Sequence, residues 1–270
     1  MAFTPSHEYF LDRQLFHGSV PLVMGTKLEC LIVGLDRGRS LAVWEELCAE
    51  VKRLDALLNR FDPASEVSRL NAAADCGEIY PAPAVLELIR LCEAYRIRTG
   101  GLFDITRGTC GEGLQLSGDG AVSLNGGSLD FGGFAKGYFL RECRELLTRA
   151  GVRTAYVDFG GSSILALGHH PFGESWRIRV THPYSGAVLQ DVDLQDQSLS
   201  TSGNRPGYSG HILDPRTGRA VEARRIVTVV APDPLDAEIV STAAMIADEA
   251  ELASLKAEIP VSEVCRYGIS

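Results

Sequence analysis

Residues 128–138 read Ser-Leu-Asp-Phe-Gly-Gly-Phe-Ala-Lys-Gly-Tyr, and this stretch carries groups suited to holding a phosphate. Gly132 and Gly133 come just before Lys136, where a helical pattern begins. Glycines at a loop-to-helix junction let the backbone approach a ligand closely. The free N–H groups and positive dipole end of the following helix attract anions. A lysine ammonium adds a point charge suited to phosphate. The spacing is not that of a Walker A loop, and the Ser or Thr after the lysine is missing. Taken alone, the segment reads equally well as a glycine-rich turn with a surface lysine.

Three other groupings offer chemistry. Residues 99–106, Thr-Gly-Gly-Leu-Phe-Asp-Ile-Thr, follow a helical pattern. By themselves they read as a C-cap glycine pair and a buried Phe. Ser200-Thr201-Ser202-Gly203 is followed by Gly210-His211-Ile212-Leu213-Asp214-Pro215-Arg216-Thr217-Gly218. Hydroxyls beside a glycine make an anion-facing turn, and His211 can act as a general base or a phosphate donor. The Asp214-Pro-Arg-Thr-Gly run is also a good turn sequence. Glu238 and Thr242 are four apart, so on a helix they share one face. A carboxylate and a hydroxyl there supply hard oxygen ligands for Mg²⁺. The plainer alternative is a solvated Glu and a Thr bonded to its own backbone.

These groups need elements to position them. Residues 26–35 alternate apolar at Leu28, Cys30 and Ile32, which predicts a strand. Helical spacing predicts helices over 40–60, 83–95 and 136–150, the last ended by Gly151 as C-cap glycine. Strands follow at 155–159, 176–180 and 225–230, and a last helix spans 235–249. Residues 117–128 and 196–210 read as loops within one domain. Strands and helices mix without regular βαβ alternation, so the expected class is α+β with a largely antiparallel sheet.

Bulk composition narrows the function. The chain has 270 residues, 45% hydrophobic and 23% charged, with a net charge of −9. That length is ample for a buried core, and the acidic balance argues against non-specific nucleic-acid binding. No apolar run reaches the roughly 18–20 residues that span a bilayer. The first residues lack a basic segment followed by an apolar one, so no signal peptide is expected. Cys30, Cys48, Cys76, Cys92, Cys110, Cys143 and Cys265 are scattered and form no Cys-x-x-Cys pair. That usage fits reduced thiols in the cytoplasm.

In this order the motifs resemble the ApbE family of FAD:protein FMN transferases. The resemblance is carried by Met24-Gly-Thr26, the run from Phe61-Asp-Pro-Ala-Ser to Asn71, and Gly101-Leu-Phe-Asp104. It continues through Leu129-Asp-Phe-Gly-Gly-Phe-Ala-Lys-Gly-Tyr138, Tyr156-Val-Asp-Phe-Gly-Gly161, Thr201-Ser-Gly203, the His211 to Gly218 run and the final helix. It implies one ApbE-like domain over residues 21–255, with 1–20 as an N-terminal extension and 256–270 as a C-terminal tail.

It also implies an FAD site between two lobes of an α+β fold. With Mg²⁺, such enzymes cleave the FAD pyrophosphate and attach FMN to a Thr or Ser of a target flavoprotein, releasing AMP. By position, Met24 and Phe61 should flank the flavin or adenine, and Leu102, Phe103 and Asp104 should line the pocket. Asp130, Lys136 and the backbone of Ile212 should contact FAD, with Thr201 and Ser202 in the matching turn. The metal should be held by the Gly133 carbonyl, Glu238 and Thr242. His211 is the candidate base, with Asp214 in reserve. Two further readings remain open: an FAD-binding protein without transfer (a flavin carrier or sensor), and an FAD pyrophosphatase. The chain departs from the family pattern at Glu238, where Asp is usual, at Arg141, and at Ser162 and Ser163, where acids are usual. Asp236 is a nearby carboxylate, but it points off the Glu238–Thr242 face.

Overall fold

The computed structural model describes residues 3–74, 77–108, 113–204 and 210–269. Cys76, Cys110 and part of the expected loop 196–210 lie outside them. The chain begins with three consecutive strands, β1 (Ser6–Phe10), β2 (Leu15–Val23) and β3 (Thr26–Val33). Leu28, Cys30 and Ile32 are all fully buried on β3, the period-two pattern of a strand with one core face. Met24 and Gly25 close the β2–β3 hairpin with φ of 48° and 76°, as a two-residue type I′ turn requires.

Helices α1 (Arg37–Leu58), α2 (Glu66–Ala73) and α3 (Pro83–Arg98) follow. Asp36 caps α1 by accepting from the Arg39 N–H at 3.0 Å, and Val43, Trp44, Leu47, Val51, Leu54 and Leu58 form its buried stripe. Four two-residue strands come next: β4 (Thr106–Arg107), β5 (Gln115–Leu116), β6 (Val122–Ser123) and β7 (Ser128–Leu129). Helix α4 (Ala135–Arg149) then runs to Gly151, whose φ of 77° is the left-handed cap expected there.

The remaining strands are β8 (Thr154–Phe159), β9 (Ser163–Leu167), β10 (Trp176–Thr181), β11 (Val188–Leu194), β12 (Gln197–Gly203) and β13 (Arg225–Ala231). Helices α5 (Pro234–Ala244) and α6 (Glu249–Glu258) precede β14 (Glu263–Gly268). Eight strands form one sheet in the order β1-β2-β3-β8-β9-β12-β13-β14, with every neighbouring pair antiparallel. Leu165 and Leu167 of β9 join the cluster under the helices, while Ile164 and Ala166 join the cluster under the β10–β11 hairpin. The class is α+β with a large antiparallel sheet, as the mixed element order predicts.

Two local expectations change. The single helix expected over 235–249 is two helices. α5 stops at Ala244, and Asp248 starts α6 with a capping box to Glu251. The loop expected over 196–210 contains β12. Its helix-facing positions are serines rather than apolar residues, and Ser200 and Ser202 are bonded within the protein, so the apolar alternation that signals a strand is missing. Residues 1–20 and 256–270 supply β1, most of β2 and β14, all of them strands of the main sheet.

Helices α4 and α5 are locked at close range. A Cβ added at Gly137 would lie 2.5 Å from the Glu238 Cβ and 3.0 Å from the Pro234 carbonyl oxygen. Arg141 of α4 grips Asp233, the α5 N-cap, through Nε at 3.0 Å and Nη2 at 2.8 Å. The same Nη2 donates to the Tyr95 hydroxyl at 2.8 Å, and Tyr95 donates to Asp236 at 2.6 Å. Burial holds the Asp236 carboxyl above its ordinary value of 3.8.

Two outcomes follow from this packing. Gly137→Ala forces the helices apart and should cost about 1–3 kcal/mol, lowering the Tm by about 2–4 °C per kcal/mol in a thermal melt. An unchanged Tm would mean that α4 and α5 do not touch there. For Asp236, a folded-state pKa above the unfolded one means the folded protein binds the proton more readily. This group therefore adds stability as pH falls through its folded-state pKa and costs stability at neutral pH. Melts of wild type and Asp236→Asn between about pH 7 and about pH 4 should show the difference moving in favour of wild type as pH falls. A constant difference would contradict the raised carboxyl.

Candidate functional site

The tight α4–α5 contact brings Lys136, on the first turn of α4, against Glu238 in the middle of α5. Glu238 is 3% exposed. Its Oε1 pairs with the Lys136 ammonium. Its Oε2 accepts from the Ser163 hydroxyl at 2.7 Å and the Ser200 hydroxyl at 2.8 Å. Lys136 also donates to Ser163 at 2.8 Å. A carboxylate this buried requires a charge partner and further hydrogen bonds to offset its lost hydration. Strand register provides them, because Ser163 of β9 stands directly opposite Ser200 of β12, which puts both hydroxyls on one face.

The same face carries a second row of oxygens. Ser241 Oγ lies 3.0 Å from Ser200 Oγ and 2.8 Å from Ser202 Oγ, and Ser202 Oγ lies 3.4 Å from Thr242 Oγ1. Gly133 presses its backbone against Thr242, since a Cβ there would lie 3.2 Å from Thr242 Oγ1. Gly133, Glu238 and Thr242 are thus brought together. Asp236 is turned away, toward Tyr95 and Arg98.

Among the described residues, no three His, Cys, Asp or Glu side chains are placed to hold a metal. A carboxylate, a hydroxyl and a backbone carbonyl are nonetheless an all-oxygen donor set. It fits Mg²⁺, which characteristically takes one or two carboxylates and completes its shell from water and phosphate.

A basic cluster lies on the N-terminal side of α4. Asp130 forms an ion pair with Arg60, whose Nε is 2.9 Å away, and accepts from Arg107 Nη1 and from the Gly132 N–H, each at 2.9 Å. The Arg60 guanidinium also covers the Phe61 ring at 4.0 Å, a cation–π contact on a ring that is 77% exposed. Arg60 and Phe61 line a cavity of about 380 Å³ with Pro63, Ser68, Arg69 and Asn71. Asn71 clamps β7 by accepting the Leu129 N–H at 2.7 Å and donating to the Leu129 carbonyl at 2.9 Å.

A second cavity, of about 270 Å³, is lined by Arg96, Gly100, Gly101, Asp104 and Arg216. Asp104 reaches it, whereas Leu102 and Phe103 are core side chains. Met24 sits half-buried in the β2–β3 turn. Neither cavity is lined by half-buried Lys136 or by Glu238.

Thr201 and Ser202, adjacent on β12, point to opposite sheet faces. Ser202 joins the Glu238 row, while Thr201 Oγ1 lies 3.2 Å from Thr228 Oγ1. His211 is half-buried beside a turn in which the Val221 N–H donates to the Ile212 carbonyl at 2.9 Å. Asp214 is held by Arg216 through Nε and Nη2, each at 2.9 Å, and these bonds keep its carboxyl below the usual range. A carboxylate so stabilised is a poor proton acceptor, and Asp214 serves to fix the turn. Sequence reasoning missed Arg60 and Arg107, and it did not place Ser163 and Ser200 against Glu238. Their types are common on surfaces, and only strand register and loop closure bring them to the site.

The ApbE family model matches residues 24–120 and 111–264. The chain is 26% identical over 284 residues to the FAD:protein FMN transferase of Rhodobacter capsulatus, covering 90% of this chain and 54% of that protein. It therefore spans about half the length of that relative. It is 24% identical over 267 residues to the FAD:protein FMN transferase of Klebsiella pneumoniae (strain 342), covering 83% of this chain and 76% of that one. The fold matches the flavin transferase ApbE from Vibrio cholerae with a TM-score of 0.74 at 21% identity, over 100% of this chain and 98% of that chain. The apo form of Pseudomonas stutzeri flavinyl transferase ApbE matches with a TM-score of 0.73 at 26% identity, over 95% and 89%. With the model matched along most of its length, and with the Gly-Gly-to-Lys136 junction built against α5, the chain belongs to the ApbE family.

Proposed function

We propose that the chain is a Mg²⁺-dependent FAD:protein FMN transferase that acts on a Thr or Ser of a target flavoprotein. The observation that carries this reading is the meeting of Lys136, Gly133, Glu238 and Thr242 where α4 begins against α5, in a chain of the ApbE family. The curated relatives bear the name of that activity.

The residues divide the work. The α4 N-terminus and Lys136 attract the pyrophosphate. Arg60 and Arg107, beside Asp130, add positive charge on the same side, and exposed Phe61 offers a stacking face for a flavin or adenine ring. Asp104 contributes polar recognition from its cavity, with Met24 and the Ile212 backbone as further contacts. Gly133, Glu238 and Thr242 would hold Mg²⁺, which supplies charge neutralisation at phosphoryl oxygens.

His211 takes the proton from the acceptor hydroxyl. The hydroxyl oxygen then bonds to the flavin-side phosphorus, the bond from that phosphorus to the bridging oxygen breaks, and AMP leaves with the bridging oxygen. Asp214 holds the turn next to His211. The free thiols Cys30, Cys48, Cys92, Cys143 and Cys265 support a reducing, cytoplasmic setting. Among the described residues, no helix is long and apolar enough to cross a membrane.

The test is AMP release from FAD with Mg²⁺ or with EDTA, in the presence and absence of a clarified lysate as acceptor source. Mg²⁺-dependent AMP with flavin fluorescence on a denatured protein band is the expected result. AMP without a fluorescent band would indicate a pyrophosphatase, and bound FAD without AMP would indicate a carrier or sensor. Glu238→Gln should lower turnover at least about tenfold, and His211→Ala by about 10²-fold or more. Full activity in either variant would remove that residue from its assigned role.

A further inference from the structure

Beyond the charged pair, the site contains a set of buried hydroxyls, and counting protons assigns a direction to the bonds of Ser163 and Ser200 with Glu238. The Lys136 ammonium can only donate, so the Ser163 oxygen accepts from it. The single Ser163 proton then goes to Glu238 Oε2, 2.7 Å away. Ser200 donates to that same oxygen from the opposite strand at 2.8 Å. One carboxylate oxygen therefore takes two hydroxyl protons while the other faces the ammonium. Ser163 is 1% exposed and Ser200 2% exposed, so water cannot replace either bond.

Ser241 extends the row. Its Oγ lies 3.0 Å from both the Glu238 carbonyl oxygen and Ser200 Oγ. Ser202 Oγ lies 2.8 Å from Ser241 Oγ.

We propose that Ser163 and Ser200 are positioning residues that fix the Glu238 carboxylate and thereby set the divalent-cation affinity of this site. Glu has one more rotatable bond than Asp, and these two hydroxyls, one on β9 and one on β12, remove that freedom by holding the same oxygen from two sides. The inference rests on the reading that Glu238, Thr242 and Gly133 hold the cation. It concerns residues that contact neither FAD nor the acceptor in that reading.

The experiment uses the full chain and Mn²⁺ as the probe, read by loss of the free-Mn²⁺ EPR signal. FAD affinity in EDTA, by flavin fluorescence, and the Tm are measured alongside. Ser163→Ala and Ser200→Ala should each weaken Mn²⁺ binding by about 10–100-fold, the usual effect of removing an outer-shell partner. FAD affinity in EDTA should stay at the parent value. Ser200→Thr, which keeps the hydroxyl, should retain Mn²⁺ affinity.

Unchanged Mn²⁺ binding in both Ala variants overturns the proposal. So does a parallel loss of Mn²⁺ affinity, FAD affinity and Tm, which would make the serines merely structural. A parent protein that does not bind Mn²⁺ overturns it together with the metal assignment. A parent that binds Mn²⁺ but releases no AMP sinks only the transferase reading, and the Mn²⁺ results still decide this one.

Discussion

The buried carboxylate of Glu238 sets the terms for the structure around it. An ionised group this far from water is tolerated only if a cation and hydrogen-bond donors replace its hydration. Lys136 supplies the cation, and Ser163 and Ser200 supply the donors. Each comes from a different element, so the carboxylate ties α4, β9 and β12 to α5. For Lys136 to reach it, α4 must approach α5 more closely than side chains normally allow, and the missing side chain of Gly137 makes that approach possible.

The same constraint gives Arg141 its place. An acidic side chain at this position would face Asp233 and, beyond Tyr95, Asp236. Arginine instead bridges to Asp233 and Tyr95, and that anchors the first turn of the helix carrying Glu238. Arginine at 141 is thus matched by its surroundings. Ser163 is similarly matched, because its hydroxyl fits between Lys136 and Glu238, where a second carboxylate would add charge beside one already buried.

Much of this was legible in the sequence. Alternation at Leu28, Cys30 and Ile32, the apolar stripe of α1 and Gly151 at the end of α4 are local signals, and local signals mark elements well. The Gly-Gly-to-Lys136 junction and the spacing of Glu238 and Thr242 are local too, and the structure places them where α4 begins against α5. What stayed hidden depends on pairing between distant segments. β12 has no apolar alternation because its buried face is lined by hydroxyls, and those of Ser200 and Ser202 have their partners on α5. Arg60 and Arg107 gain significance only when loop closure brings both to Asp130. Thr201 and Ser202 looked equivalent as neighbours, and only the strand assigns them to opposite faces.

The seam between β3 and β8 has a consequence for how the molecule comes into being. These strands are neighbours in the sheet, yet α1 to α4 and four short strands lie between them in the chain. That intervening segment carries Phe61, Asp104, Asp130 and Lys136. Its ends are joined only when β3 and β8 zip together, a long-range closure that pays its entropy before contacts reward it. The Lys136–Glu238 pair, 102 residues apart in the chain, adds a second long-range closure to that of the seam, so the site exists only where segments distant in sequence have come together.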